Sequence, residues 1–370
     1  WYQRVGERPS SDGFDQQRPV QPVKTDVHIS LNNELDKING LKMTRIYLPP
    51  RFDRDTLSEF FSILDEHQDT PNVCLDCSTL NYSMPTAMLV AGSKIRDWVR
   101  YRRSKEIKSR KAGYNTNSTV HSYLMHVGFF DFILMGEGKY VGEARGSSTY
   151  LPITRIKKPH FTAGTEGLEK WYEDIMSAVR GLAKIVSGTT EDTQENRLYS
   201  YAFREIIRNV FEHSGATECY VCGQRWRNGH VEITVVDEGL GIANTLRESQ
   251  GCLTDADSLL LAIKPGISRT SNMPDAENVY DNSGFGLYVL SELASNFGWY
   301  VLGSSTSRII GHQKNIAIES LNFNGTYFGM RMQRAPTQFS HLLRDIIEAG
   351  EYEAEMNGIR RKASGMSKFL

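Results

Sequence analysis

Strand-like and helix-like segments alternate along this chain from about residue 44 to residue 334, and that alternation limits the fold to layers of sheet and helix. TRIYLPP (44–50) opens the series. A helix pattern follows in RDTLSEFFSILDEHQ (54–68), a strand in NVCLDCSTL (72–80) and a second helix in PTAMLVAGSKIRDWVRYRRSK (85–105). After the break AGYNTNST (112–119), VHSYLMHVGFFDFI (120–133) reads as a short helical run. Gly, Pro and Ser rise over residues 136–165, the pattern of a connector, with room for a hairpin. EGLEKWYEDIMSAVRGLAKIV (166–186) is a helix with Trp171, Ile175, Val179 and Leu182 at helical spacing. Strands are expected at TECYVCGQRW, HVEITVVDEG, WYVLGSS, NIAIESL and GTYFGMRMQR, with a helix at FGLYVLSELASNFG (285–298). The expected organisation is a loose tail (1–25), a small α/β domain (26–135), the connector (136–165), a larger α/β domain (166–335), and a C-terminal helix with a basic tail (336–370).

The formal net charge of −1 provides no global field for nucleic acid or a membrane surface. No apolar run reaches the roughly 18 residues of a membrane helix. The N-terminal stretch has no signal-peptide core and starts with Trp, as a fragment or internally numbered chain would. Five cysteines, a low and odd number, fit a reducing compartment. The expected location is therefore the cytoplasm. Cys74/Cys77 and Cys219/Cys222 have the CxxC spacing of a zinc site. Both pairs fall in strand-like runs, where residues three apart point to opposite faces, so small semi-buried side chains are expected instead of metal ligands.

REIIRNVFEHSG (204–215) is the unusual helix. At 100° per residue, Tyr199, Ala202, Phe203, Ile206 and Val210 share an apolar face. Asn209 and His213 lie within or beside that arc and Glu205 at its edge, while Arg204 and Arg208 point toward water. Burying an amide and an imidazole without partners costs about 1–3 kcal/mol each. Such groups either bond within the core or line a cavity, and for this helix alone the two readings weigh equally.

Two later segments favour the cavity. VEITVVDEGLGI (231–242) is an alternating strand ending in Asp237, with Gly239 and Gly241 just beyond. A carboxylate there can accept from an exocyclic amine, and glycines let backbone approach a flat ring. In NSGFGLYVLSELA (282–294), Gly284 and Gly286 open a helix, whose free N–H groups suit phosphate. Gly325 and Thr326 follow on a returning strand.

The order ExxxN helix, DxGxG strand end, GxGL helix start and late GT resembles the ATP-binding domain of the gyrase, heat-shock chaperone, histidine kinase and mismatch-repair (GHKL) superfamily, over roughly residues 195–335. The resemblance implies a two-layer α/β sandwich, a mixed sheet with helices on one face. It implies Asn209 as the Mg²⁺ ligand, Glu205 as the acid that polarises the attacking water or hydroxyl, and His213 extending that stripe toward the phosphates. It further implies Asp237 as the adenine acceptor helped by Thr326, Gly239 and Gly241 shaping the adenine pocket, and Gly284, Gly286 and Leu287 as the phosphate turn, with 264–283 as a lid. Mg²⁺ keeps several waters, so one amide and phosphates suffice, and a carboxylate one turn away can orient a nucleophile. No GxxxxGK[ST] is present, and GLGIAN lacks the third glycine of a dinucleotide fingerprint. NVFEHSG and KPGISRTS are closest in style to anti-sigma-type serine kinases. Residues 166–212 contain no His, so histidine autophosphorylation is not expected.

NVCLDCSTLNYSMPTAMLVAGSKI (72–95) is similar to the STAS fold of anti-sigma-factor antagonists, over about residues 40–135. The serine that family phosphorylates falls at Pro85, which has no hydroxyl. Thr86 and Ser83 are the neighbouring hydroxyls, and helix capping explains both. The basic run RDWVRYRRSKEIKSRKAG (96–113) reads as a solvated helix end before a nucleic-acid patch. The expectation is thus an Mg²⁺- and ATP-binding regulatory protein. It is either a slow ATPase or serine/threonine kinase, or a nucleotide-gated interaction module. A protein partner and a homodimer follow from the resemblance, and neither membrane nor nucleic acid is expected.

Overall fold

The first strand–helix alternation folds as three parallel strands. β1 (Thr44–Tyr47) and the short β2 (Arg51–Phe52) lead into α1 (Leu57–Glu66). β3 (Val73–Asp76), β4 (Tyr82–Ser83), α2 (Pro85–Ser104) and β5 (Ser109–Ala112) follow. β3 lies between β1 and β5, and β2 pairs with β4, all parallel. β5 falls inside the basic run that sequence assigns to a helix end. Two short helices, α3 (Thr119–His126) and α4 (Phe129–Phe132), complete this segment. The structure is a computed structural model and describes residues 43–162, 164–251, 253–270, 283–333 and 335–368.

The second half begins with β6 (Tyr150–Lys157), inside the expected connector. α5 (Thr165–Ser187), α6 (Gln194–Asn209), β7 (Glu218–Arg225), β8 (Val231–Asp237), α7 (Ile242–Gln250) and α8 (Asp255–Ala262) follow. Then come α9 (Gly286–Phe297), the long hairpin β9 (Gly298–His312) and β10 (Asn315–Met332), α10 (Phe339–Met356) and α11 (Gly365–Lys368). The sheet order is β6-β7-β8-β10-β9.

One expectation about this sheet is corrected. It is antiparallel throughout, not mixed. Two successive helices between β6 and β7 reverse the chain, and β10 returns between β8 and β9. The helices of the second half do lie on one face of the sheet, and those of the first half cover the other. One core joins α5, α6, α9 and α10 to one side of the sheet, while a second joins α1, α2 and α4 to the other. β8 is buried at every position, although Glu232 and Thr234 alternate with its apolar residues. The alternation remains visible as a sorting of side chains. Val231, Ile233 and Val235 enter the first core, and Val236 enters the second. Cys219 and Cys222 likewise fall in different cores, so they cannot share a metal. Burial, with Asp76 and Cys74 nearby, pushes the Cys77 thiol up to about 12.

The basic run and the start of α2 also differ from their sequence readings. Arg102 is fully buried. Its guanidinium donates to the carbonyls of His67, Gln68 and Thr70 at 3.0, 2.9 and 2.8 Å, fastening the turn that follows α1. Neither Ser83 nor Thr86 caps α2, because the N-cap position is Met84, without a side-chain cap. The cap arrives from β8 instead. Glu232 Oε1 accepts from the Thr86 N–H at 2.9 Å, and the Thr86 and Thr234 hydroxyls bond at 2.7 Å. Both threonines are buried, so Thr86→Val strands the Thr234 hydroxyl. Chemical denaturation should show a loss of about 1–2 kcal/mol. A change near zero would mean that the hydroxyl pair contributes nothing.

Candidate functional site

α6 starts on a Thr193 cap, whose hydroxyl accepts from the Asn196 N–H at 3.1 Å. It does not end as an α-helix. Residues Val210–Ser214 form a π turn, stopped by Gly215 at φ 74°. Such turns widen a helix by one residue and often mark sites. Ser214 Oγ donates to the Val210 carbonyl at 2.8 Å, and the Ser214 carbonyl accepts from Leu240 N–H at 2.8 Å. The π turn is thereby fastened to the loop after β8.

A cavity opens between this helix end, the end of β8, the start of α7 and the start of α9. It offers about 110 Å³ to the centres of water molecules, where a single water needs only ~10–15 Å³. Glu205, Asn209, His213, Asp237, Gly241, Gly284, Gly286, Leu287 and Thr326 all line it. Segments up to 121 positions apart (205 to 326) therefore converge. Apolar walls from Ile206, Val235, Ile242 and Phe328 suit a flat, weakly polar ring.

Gly239 does not line the cavity. A Cβ there would lie 2.4 Å from the Ser214 carbonyl oxygen, so this glycine lets the loop dock on the π turn. Gly239 therefore shapes the cavity only indirectly, by seating that loop. Gly241 lines the cavity with φ +79°, a left-handed conformation that favours glycine. Of the expected lid, residues 271–282 lie outside the described residues. Gly284 (φ +77°) accepts through its carbonyl from Gly266 N–H at 3.1 Å, closing the base of that loop.

The carboxylates differ sharply in surroundings. Asp237 is 3% exposed, and its Oδ1 accepts from the Gly239 N–H at 2.8 Å. Burial, with Glu238 adding, pushes its pKa up to about 7, against the opposing hydrogen bonds from Gly239, Ser214 and the Thr326 backbone. Thr326 is its cross-strand partner. Glu205 is also buried, and Arg204 Nε donates to its Oε1 at 3.0 Å. Its other oxygen faces Gly286, where a Cβ would come within 2.6 Å. A side chain at this position would displace the end of that carboxylate, so glycine leaves it undisturbed against the start of α9.

Arg204 and Arg208 do not point to water as their helical phase suggests, because each is 4% exposed. α5 and α10 pack on the side of α6 that a lone helix would leave wet. Arg204 stacks over the Tyr201 ring, and Arg208 pairs with Glu212 at 2.8 Å. Burial opposes the Arg208 charge, yet Glu212 and Glu205 hold its pKa above the ordinary arginine value. His213 is pushed down to about 3 by burial, then by Arg269 and Arg208, so it is neutral at physiological pH.

Arg269 was not singled out from sequence. It lines the cavity and donates through Nη2 to the Glu212 carbonyl at 3.3 Å. Its only sequence signal was a cation within ISRTS. Among the described residues, two buried nitrogens of the cavity lack hydrogen-bond partners: His213 Nδ1 and Arg269 Nε. Unpaired buried polar atoms are costly, and an oxygen-rich ligand would satisfy them. Among the described residues, no group of three or more His, Cys, Asp or Glu could hold a metal. A cation here would therefore need oxygens from a ligand besides the Asn209 amide. No helix among the described residues is long and apolar enough to cross a membrane.

Searches against protein families, curated proteins and solved structures return no match to this chain. A functional reading therefore rests on the residues themselves.

Proposed function

We propose that the cavity binds Mg·ATP and that the chain is a regulatory protein with a histidine-kinase-like, GHKL-type nucleotide site. The observation that carries this reading is convergence. Residues of four separate motifs, Glu205/Asn209/His213, Asp237/Gly241, Gly284/Gly286/Leu287 and Thr326, line one cavity, and two of its lining residues, His213 and Arg269, each carry an unpartnered buried nitrogen. In this reading Asp237 accepts from the adenine amine, with Thr326 beside it. His213 and Arg269 donate to phosphate oxygens, as do backbone N–H groups at the start of α9. Asn209 supplies one oxygen to Mg²⁺, and the phosphates and water supply the rest. Glu205 orients the nucleophile for phosphoryl transfer to water or to a protein hydroxyl.

A second reading, a nucleotide-gated interaction module, is favoured by one observation. The position where the STAS resemblance expects a phosphoacceptor is Pro85, and the adjacent Thr86 hydroxyl is buried against Thr234. Pro85 and Thr86 thus offer no accessible acceptor, which removes the obvious substrate within the chain.

Calorimetric titration with Mg·ATP, with phosphate release followed in the same sample, tests both readings. Saturable binding with release supports the enzyme, and binding without release supports the module. Absence of binding removes both.

A further inference from the structure

β8 sends alternate side chains to opposite faces. Asp237 enters the cavity, whereas Glu232, Thr234 and Glu238 meet α2 on the far side. α2 holds this strand at both ends. At one end Thr86 bonds Glu232 and Thr234. At the other, Arg100 Nη1 lies 2.7 Å from Glu238 Oε2, with Arg96 Nε 3.6 Å and Ser93 Oγ 3.4 Å from Oε1. The spans match, since fourteen helical residues rise about 21 Å and six strand residues about 20 Å.

The same turn of α2 grips the neighbouring strand. Asn324 Nδ2 donates to Asp97 Oδ2 at 2.6 Å. Asn324 precedes Gly325, whose φ of +105° and approach to the Asp237 carbonyl leave no room for a side chain. Thr326 comes next, paired with Asp237. Thus Glu238 and Asn324 flank the two residues assigned to the base, and both are held by α2. Arg96, Asp97 and Arg100 are not among the cavity-lining residues.

We propose that this turn of α2 is a positioning element for base recognition: Arg96, Asp97 and Arg100, acting through Glu238 and Asn324, set the placement of Asp237 and Thr326. This rests on the nucleotide reading above and adds a route by which the N-terminal segment controls it. Coupling of this kind is reciprocal, so the base tightens the grip of α2 as α2 tightens the base site.

The test uses the full chain with Glu238→Gln, Asn324→Ala and the double variant, titrated with Mg·ATP and separately with Mg·tripolyphosphate. The double variant should bind ATP about 10-fold more weakly, within the usual range of site coupling. Tripolyphosphate, which has no base, should keep its affinity within about two-fold. Exchanging the pair, Asp97→Asn with Asn324→Asp, should restore ATP affinity relative to Asn324→Ala, because the hydrogen bond can re-form with donor and acceptor reversed. Unchanged ATP affinity in the double variant overturns the inference and leaves the nucleotide reading standing. Equal loss for both ligands also overturns it, as a general loss of structure. If the unmodified chain binds no ATP, the nucleotide reading falls and the inference with it.

Discussion

Asp237→Asn should stabilise the ligand-free protein at pH 8 and abolish most of its affinity for ATP. The carboxylate is 3% exposed and its pKa rises from 3.8 to about 7 on folding. A shift of that size corresponds to about 4 kcal/mol of differential cost for the ionised form. Because the folded-state pKa is the raised one, the group's favourable contribution is complete below about pH 4 and is lost as pH rises to about 7. Above pH 7 the folded chain bears the full cost of a buried charge. Asparagine keeps an oxygen for the Gly239 N–H and removes that charge. Its stabilising effect should therefore be largest at pH 8, a few kcal/mol by thermal or chemical denaturation, and vanish toward pH 4. ATP binding should respond in the opposite sense. In the proposed nucleotide site, an amide nitrogen facing the adenine amine replaces an acceptor with a donor, for a loss of about 50-fold or more by calorimetry. Unchanged ATP affinity would remove Asp237 from the base site. A lower melting temperature at pH 8 would mark the carboxylate as a structural group.

Glu205→Gln should separate binding from chemistry. Glutamine retains an oxygen for Arg204 and the shape that fits against Gly286, but it cannot polarise a nucleophile as a carboxylate does. Where the unmodified chain releases phosphate, the variant should do so about 100-fold more slowly or less, with the ATP dissociation constant within about three-fold. Arg204 is buried and loses its charged partner, so some stability is also lost. The folded fraction must be followed by circular dichroism in the same preparation. Unimpaired phosphate release by folded Glu205→Gln would exclude Glu205 from the catalytic role.

Much of the helical side of the molecule was legible because helix periodicity is local. The buried stripe of α5 through Trp171, Ile175, Val179 and Leu182 follows from spacing alone, and all four are buried. The polar stripe of α6 was legible for the same reason, since Glu205, Asn209 and His213 meet one cavity despite the π turn at its end. Arg204 and Arg208 were misread because the phase of one helix does not reveal what packs on its other side. β5 and β6 were missed because short, polar or Gly/Pro-flanked strands have little periodicity of their own. Their identity comes from partners far along the chain.

Local pattern determined the alternation of strand and helix, the ordered motifs of the cavity, and the opposed faces of the Cys219/Cys222 pair, because each depends on the direction of neighbouring side chains along one element. Only the tertiary structure decided the rest. It placed a second helical layer on the far face of the sheet, which buries Glu232 and Thr234. It supplied the cap of α2 from a strand 146 positions away, and it added Arg269 to the cavity. Those features arise from side chains that meet across elements, where a buried donor or charge takes whichever partner the packing brings within reach.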